Sequence, residues 1–212
     1  MFLIGAALVA AALFFIIWKL GIGIASKGSY SNSDSYNTTA WKFADMVQGG
    51  VLYPVVRDID GDTIVADVAG HDITVRLIGA DTPETVDPRK PVQCYGPQAS
   101  AEAKRIFGEK TGDATTTGVL VYLDKDPLKG DYDKYGRLLA YVRMLDAIVP
   151  IDGIASSSDL YNDYMIMHGF AHEYTFLNQP YEYQVQFKAD ELSAKKAHVG
   201  LWGKCPTSDS RG

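Results

Sequence analysis

Three short apolar runs separated by turn residues, between residues 51 and 80, constrain the fold more than any other part of the chain. The middle run, TIVADV, alternates apolar and polar side chains with the period of two that is typical of a β-strand. Asp60-Gly61 precedes it and Gly70-His71-Asp72 follows it, and both sequences favour turns. The pattern therefore predicts a three-stranded meander, with VLYPVV and ITVRLIGA as its outer strands.

Two further strands are predicted in the second half of the chain. GVLVYL at residues 118–123 is the fourth strand, and RLLAYVRML, which begins at Arg137, is the fifth. A polar loop, DKDPLKGDYDKYG, joins them. The segment AIVPI at residues 147–151 is a candidate return partner of the fifth strand.

Three helices are also predicted. Pro97 suits the first turn of a helix, and the residues after it have a helix-forming composition. Residues 156–158 are candidate caps of a second helix, and Gly169 fits the left-handed position that ends it. Pro180 opens a third helix that closes at Gly200, and its last turns carry basic side chains that suit the negative helix end.

The N-terminal residues 2–18 form an uninterrupted uncharged segment. As a helix it would be roughly 26 Å long, slightly less than the roughly 30 Å hydrocarbon core of a bilayer. Two interpretations are open: an uncleaved membrane anchor, or a signal peptide cut after Gly23-Ile24-Ala25. The segment lacks a basic beginning and is longer than a usual signal-peptide core, which favours the anchor. Enrichment in serine and asparagine predicts a flexible linker over residues 26–39, and residues 40–50 could form a short helix or continue the linker.

Acidic residues lie at the ends of the apolar runs of the meander. Asp62, Asp81 and Glu84 are placed in this way, and Arg76 lies between them in the sequence. This set indicates a divalent-metal site with a cation beside it, which would suit a phosphate ester. The alternative is hairpin strands with polar turns, which would account for Asp60-Gly61 but not for the whole set.

The overall charge excludes one class of nucleic-acid binder. A formal net charge of −6 and a sequence pI near 5.1 argue against a protein that coats nucleic acid through bulk positive charge. A bound divalent cation and a few arginines can nevertheless reverse the sign locally. A nucleic-acid enzyme therefore remains compatible with this composition.

The chain contains two cysteines, Cys94 and Cys205. They do not have CxxC spacing, so a zinc or redox motif is not indicated. The residues alone leave two alternatives, a pair of unrelated buried thiols or one disulfide. The choice between them depends on the compartment.

Several sequence blocks occur together in an order that resembles a known family. They are IDGDT (59–63), VRLIGADTPET (75–85), YGPQAS (95–100), DKYGRLLAYV (133–142), HGFA (168–171) and GLW (200–202). From residue 51 to residue 202 the chain resembles the staphylococcal nuclease family. The resemblance implies an α+β fold, a small closed five-stranded β-barrel of the oligonucleotide-binding (OB) kind with three α-helices. In this chain the N-terminal transmembrane or signal helix would precede it.

The match and the composition of the N-terminal segment, which lies outside it, together give the predicted organisation. A membrane anchor or signal peptide occupies residues 1–25, the linker residues 26–50, the nuclease-like domain residues 51–205 and a disordered tail residues 206–212. The resemblance further implies a calcium-dependent endonuclease that cleaves DNA, RNA or both, has little sequence preference and leaves 3′-phosphate ends.

The resemblance also implies a metal site. Asp62 and Asp81 fall on the family's two calcium-binding aspartates, and Thr82 falls on the position whose backbone carbonyl also binds the ion. Hard oxygen ligands of this kind are what Ca²⁺ requires.

Catalytic roles carry over to three other residues. Glu84 falls on the general base or water-positioning residue, and Arg76 and Arg137 fall on the two arginines that hold the scissile phosphate. A guanidinium offers a planar fork that can hold phosphate oxygens bidentately. Tyr135 is a candidate for stacking on the substrate. Tyr174 lies near the family's substrate-facing tyrosines with a shifted spacing, so a core role is its alternative.

The implied fold brings the residue before the first helix close to the residue after the last one. We therefore expect a Cys94–Cys205 disulfide and a nuclease domain outside the cytoplasm, anchored at the membrane or secreted if the N-terminal segment is cleaved. Lys19 and Lys27 favour the opposite orientation under the positive-inside rule, but two lysines are a weak signal. The catalytic domain is expected to be monomeric.

A non-catalytic nucleic-acid or protein-binding module of the same fold, displayed at the membrane, is the main alternative. A degenerate copy of this kind would be expected to lose the arginines or the glutamate. The chain keeps all five charged positions of the site, which favours the enzyme.

Overall fold

The first three strands form the meander that the sequence alternation predicts. The computed structural model describes residues 46–206, except residues 86, 111, 113, 147 and 149–157. β1 (Leu52–Asp60) pairs antiparallel with β2 (Thr63–Val68), and β2 pairs antiparallel with β3 (His71–Leu77). The register shifts twice along the β1–β2 pair, which increases its local twist and helps the sheet to curve.

The two later strands close this sheet into a five-stranded barrel, as expected for the OB kind. β5 (Leu120–Asp124) pairs antiparallel with both β1 and β6 (Leu138–Met144). β6 in turn pairs parallel with β3, which completes the strand order β1-β2-β3-β6-β5. A separate small sheet joins β4 (Ala80–Asp81) to β7 (His172–Glu173).

Three helices pack around the barrel. They are α1 (Gly96–Phe107), α2 (Tyr161–Met167) and α3 (Gln184–Lys196), and a single turn, α4 (Leu201–Lys204), follows. A 3₁₀ turn also spans Phe176–Asn178. The number of main helices agrees with the prediction.

Two predicted helix starts were wrong. The second helix begins at Tyr161 with Leu160 in the N-cap position, and the Ser158 hydroxyl accepts a hydrogen bond from the Leu160 N–H (3.1 Å) instead of capping the helix. The third helix begins at Gln184 and not at Pro180, because the buried Tyr181 turns the chain inward before the helix starts. Its predicted basic last turn is confirmed.

The core lies inside the barrel and under the helices. α1 packs against β1, while α2 packs against β6 and β4. Phe107 and Tyr161 meet edge-to-face with ring centroids 4.6 Å apart, which joins α1 to α2. This packing fixes α1 and α2 against the barrel, with α2 also next to the short strand β4.

The end of the predicted linker packs against β1. Val47 is buried in the core, and the Tyr53 hydroxyl accepts a hydrogen bond from the Gln48 N–H (3.0 Å) and donates one to the Met46 carbonyl (3.0 Å). The predicted N-terminal anchor lies outside the described residues, as do most of the segment 147–151 and all of the tail beyond residue 206. Within the described part of the chain, no helix is long and apolar enough to cross a membrane.

Candidate active site

Asp62 lies at the turn between β1 and β2 and faces the segment after β4. Its Oδ2 atom accepts hydrogen bonds from the Thr82 N–H (2.8 Å) and the Thr82 hydroxyl (3.0 Å), and its Oδ1 atom accepts one from the Thr63 hydroxyl (2.9 Å). Gly61 permits this approach, because a Cβ atom there would lie 2.6 Å from Thr82 Cγ2. The Asp62 carboxylate is therefore buried and fixed by its neighbours.

Arg76 joins the two aspartates that the sequence singles out. Its guanidinium forms one ion pair with Asp62 and a second with Asp81 on β4. Arg76 is 8% exposed and Asp62 is 6% exposed, so the first of these pairs is removed from solvent. The closing of the meander thus brings three charged residues from the β1–β2 turn, β3 and β4 into direct contact.

The electrostatics of this cluster show an excess of negative charge. Burial alone would raise the pKa of Asp62, but Arg76 and the Thr82 N–H hold that pKa below its ordinary value. Burial raises the pKa of Asp81 in spite of Arg76, and burial together with the neighbouring Asp62 raises the pKa of Asp60 to about 7. One guanidinium therefore faces three carboxyl groups, and the cluster would favour a second cation.

Glu84 lies in the loop after β4 and is held by the residues that precede α1. Its N–H donates to Gln93 Oε1 (2.7 Å), and its carbonyl accepts from the Gln93 N–H (2.9 Å). Its carboxylate Oε1 accepts from the Asp87 N–H (2.9 Å). Glu84 is thus fixed through both its backbone and its side chain, three residues beyond Asp81.

Arg137 and Tyr135 lie at the turn that precedes β6. The Asp133 carboxylate accepts hydrogen bonds from Arg137 Nε (2.7 Å) and from the N–H groups of Tyr135 and Arg137 (each 2.9 Å). The Arg137 guanidinium lies 5.5 Å from the Tyr135 ring centroid, and Lys134 Nζ lies 4.9 Å from it. The Tyr135 side chain is 71% exposed, so this turn presents an accessible ring beside two cations.

The connection between this turn and the acidic cluster is the parallel pairing of β3 with β6. Arg76 pairs in register with Leu139, two residues after Arg137. The structure therefore brings Asp62, Arg76, Asp81 and Thr82 into one contact cluster, and it places Arg137 directly before the strand that adjoins Arg76.

Comparisons with known proteins identify the family of this chain. A family model described as "staphylococcal nuclease homologue" matches residues 74–204. The chain belongs to the staphylococcal nuclease family. The closed five-stranded barrel with its helices is the fold that the resemblance implied.

Curated relatives of this nuclease-family chain include two thermonucleases. It is 35% identical over 150 residues to a thermonuclease of Staphylococcus hyicus, a match covering 71% of this chain and 75% of the relative. It is 36% identical over 153 residues to a thermonuclease of Staphylococcus intermedius, with 72% and 77% covered. A match to the endonuclease YncB of Bacillus subtilis has 36% identity over 157 residues and covers 74% and 64%. The family and these relatives support the predicted enzyme class, a nuclease hydrolase.

The predicted disulfide of the nuclease-family domain is present. Cys94 and Cys205 are bonded, with Cα atoms 5.8 Å apart. Cys94 lies two residues before α1 and Cys205 directly follows α4. The bond links the loop that carries Glu84 and Gln93 to the end of the folded chain.

Tyr174 lies at the surface, and the structure adds a second aromatic residue beside it. Tyr174 is 44% exposed, which argues against the alternative core role, and its N–H donates to the Gly79 carbonyl (3.0 Å). Its ring centroid lies 6.3 Å from that of Phe176, which is 46% exposed. The period of two in HEYTF could have indicated that Phe176 accompanies Tyr174.

The structure also places Gln93 and Asp60 next to residues of the predicted site. Gln93 lies in the polar loop before α1 and Asp60 in the Asp60-Gly61 turn, so neither carries a distinctive sequence signal. Asp60 Oδ1 accepts from the Asp62 N–H (3.2 Å), which places Asp60 beside the acidic cluster, and burial together with Asp62 raises its pKa.

Proposed function

We propose that this chain is a calcium-dependent endonuclease that hydrolyses phosphodiester bonds of DNA, RNA or both, with little sequence preference and with 3′-phosphate products. The observation that carries the proposal is the buried cluster in which Asp62 and Asp81 converge on Arg76. A buried ionic cluster of this kind costs desolvation energy, and its retention suits a functional role better than a structural one.

The donor chemistry of the cluster fits a hard divalent cation. Asp62 and Asp81 supply carboxylate oxygens that already converge on one cationic group, and the Thr82 carbonyl would complete the protein ligands. No group of three or more His, Cys, Asp or Glu residues suited to a metal occurs in the described part of the chain, so water would supply the remaining ligands. When bound, Ca²⁺ would stabilise negative charge that develops on the phosphoryl oxygens.

The chain's own residues would perform the remaining steps. Glu84 would hold the attacking water or accept its proton, because its carboxylate is fixed in the loop that follows the metal ligands. Arg76 and Arg137 would bind the scissile phosphate and stabilise its added charge in the transition state. Tyr135, with its exposed ring beside Arg137, and Tyr174 would bind the substrate by stacking.

We further propose that the nuclease domain works outside the cytoplasm as a monomer. The Cys94–Cys205 disulfide supports this location, since such bonds persist in oxidising compartments. The N-terminal apolar segment would either anchor the domain to the membrane or direct its secretion.

One assay tests the proposed activity. The full-length chain is incubated with single-stranded DNA and with RNA, first with Ca²⁺ and then with excess EGTA. We expect cleavage at many positions that stops on chelation, and products that a polymerase extends only after phosphatase treatment. Binding of DNA without chelator-sensitive cleavage would instead identify a non-catalytic module.

A further inference from the structure

Gln93 forms two hydrogen bonds with the backbone of Glu84, one as acceptor and one as donor. Its side-chain Oε1 accepts from the Glu84 N–H (2.7 Å), and its own N–H donates to the Glu84 carbonyl (2.9 Å). We propose that Gln93 is a positioning residue for Glu84 and that the Cys94–Cys205 disulfide anchors Gln93. This inference rests on the proposed role of Glu84 in catalysis.

Tertiary contacts hold the segment that follows Gln93 at Cys94, Tyr95 and Gly96. Cys94 is bonded to Cys205 beyond α4. The Tyr95 ring stacks on Phe170 with centroids 5.7 Å apart, and Tyr95 adopts a left-handed conformation with φ of 68°. Such a conformation is strained for a bulky side chain and persists only where the surroundings impose it. The disulfide and the stacked ring together supply that constraint.

Gly96 completes the contact between the start of α1 and the Glu84 loop. A Cβ atom at Gly96 would lie 2.9 Å from the Pro83 carbonyl oxygen and 3.2 Å from that of Glu84. The backbone of the helix start therefore lies directly against the backbone that carries Glu84. Any displacement of residues 93–96 would be transmitted to Glu84.

The described part of the Glu84 loop contributes a direct contact to the Glu84 side chain, from the Asp87 N–H (2.9 Å), but much of it is exposed. Val92 is 60% exposed, and the Arg89 side chain is 85% exposed and pairs with the neighbouring Asp87. A catalytic group on an exposed loop needs support from residues that are themselves fixed, because a displacement of about 1 Å can lower turnover about 100-fold. Gln93 provides such support, since it adjoins the anchored Cys94.

The hydrogen bonds of Gln93 can be tested with side chains of similar length. Gln93→Met removes the acceptor for the Glu84 N–H, whereas Gln93→Glu keeps an acceptor oxygen. Gln98→Met is the matched control, because Gln98 lies exposed on the first turn of α1. We measure kcat and KM of the full-length chain on single-stranded DNA, and Ca²⁺ affinity by calorimetry without substrate.

The expected signature is a change in kcat alone. Gln93→Met lowers kcat about 10- to 100-fold and leaves KM and Ca²⁺ affinity at wild-type values. Gln93→Glu recovers much of the lost kcat. Gln98→Met behaves as wild type. When Glu84→Gln is already present, Gln93→Met lowers kcat no further, because a positioning residue acts only through the group it positions.

The results separate this inference from the proposed function. If Glu84→Gln keeps the wild-type rate, the role of Glu84 in the proposed function is wrong. If Glu84→Gln loses activity but Gln93→Met keeps wild-type kcat, or lowers kcat further in the Glu84→Gln background, only the inference about Gln93 is wrong. Near-ultraviolet circular dichroism of each variant establishes that the fold is retained.

The anchoring role of the disulfide has its own test. The double variant Cys94→Ser/Cys205→Ser, assayed well below its unfolding temperature, should lower kcat in the wild-type background. In the Gln93→Met background it should cause little further loss, because the connection to Glu84 is already broken. Wild-type kcat in the double variant would show that the disulfide does not anchor Gln93.

Discussion

Asp62 and Arg76 form a buried ion pair although they lie fourteen positions apart in the sequence. Arg76 also pairs with Asp81, so two carboxylates, one from the β1–β2 turn and one from β4, share a single cation. Removing one partner of a buried pair leaves uncompensated charge, which costs more than the pair itself contributes. Arg76 should therefore contribute to the stability of the barrel as well as to the proposed activity.

Replacing Arg76 by methionine should destabilise the protein in the absence of metal. Asp62 and Asp81 would lose their common cation, and we expect the free energy of unfolding to fall by about 3 kcal/mol. Ligand binding stabilises the folded state, so saturating Ca²⁺ should raise the free energy of unfolding of both proteins. The increase should be larger in the variant, because the ion would also replace the missing positive charge. Urea unfolding in EGTA and in Ca²⁺ measures both effects.

Arg143→Met serves as the control for that experiment. Arg143 lies on β6 and pairs with Asp124 and Asp159, which are partly exposed. Its loss should cost less than about 1 kcal/mol and should not depend on Ca²⁺. Equal Ca²⁺ responses in the two variants would contradict a metal site at Asp62 and Asp81.

Arg137→Ala should reduce activity far more than stability. The Arg137 side chain is 30% exposed and its pair with Asp133 is local, so its removal should leave the fold intact. Loss of one preorganised donor to the transition state typically costs a factor of about 100 to 1,000 in kcat. Cleavage rates on single-stranded DNA measure the effect, and Arg143→Ala, a change on β6, is the matched control. Similar rates for the two variants would show that Arg137 does not bind the scissile phosphate.

The barrel could be predicted because its strands carry local signals. The alternation around TIVADV and the turn residues at Gly61 and Gly70 define the meander, and the strands β1, β2 and β3 are found where this pattern places them. Helix starts were less predictable. Tyr181 is buried, and its hydroxyl donates a hydrogen bond to Glu173 Oε1 (2.7 Å). Its position therefore depends on tertiary packing that no local pattern shows.

The residues of the candidate site could be proposed because they lie in recognisable sequence blocks. Arg76 contacts both Asp62 and Asp81, and the roles of the three residues in metal and phosphate binding stay predictions. Gln93 could not be found in this way, because its hydrogen bond reaches nine residues back along the chain and glutamine in a polar loop carries no distinctive signal. The raised pKa of Asp60 likewise depends on burial and on the proximity of Asp62, which exist only in the folded barrel.

A second pair of carboxyl groups should make stability depend on pH. Asp163 on α2 is buried beside Asp190 on α3, and burial together with Asp190 raises the pKa of Asp163 from 3.8 to about 6. A raised pKa in the folded state means that folding favours the protonated form. The contribution of Asp163 to the free energy of folding is therefore least unfavourable at low pH. It becomes more unfavourable as the pH rises from about 4 to above 6.

Asp163→Asn should consequently stabilise the protein at neutral and alkaline pH. Asparagine keeps an acceptor oxygen for Gln186 Nε2, which donates to Asp163 Oδ2 (3.0 Å), and it carries no charge. The expected gain in the free energy of unfolding is on the order of 2 kcal/mol at about pH 8, and much less at about pH 4. Urea unfolding at both pH values checks this, with the exposed Asp72→Asn as control. A gain that does not change with pH would contradict the mechanism.

Reduction of the disulfide should destabilise the domain, because Cys94 and Cys205 enclose a loop with a sequence separation of 111 residues. The chain-entropy model gives about 4–5 kcal/mol for a loop of this length, and measured losses are usually about 2–5 kcal/mol. We expect the wild type to lose this amount of unfolding free energy in reductant, and Cys94→Ser/Cys205→Ser to show the same lower value with and without reductant. If both cysteines of the native, unreduced protein react with an alkylating reagent, the bond is not formed in solution, and the support for an extracytoplasmic location is lost with it.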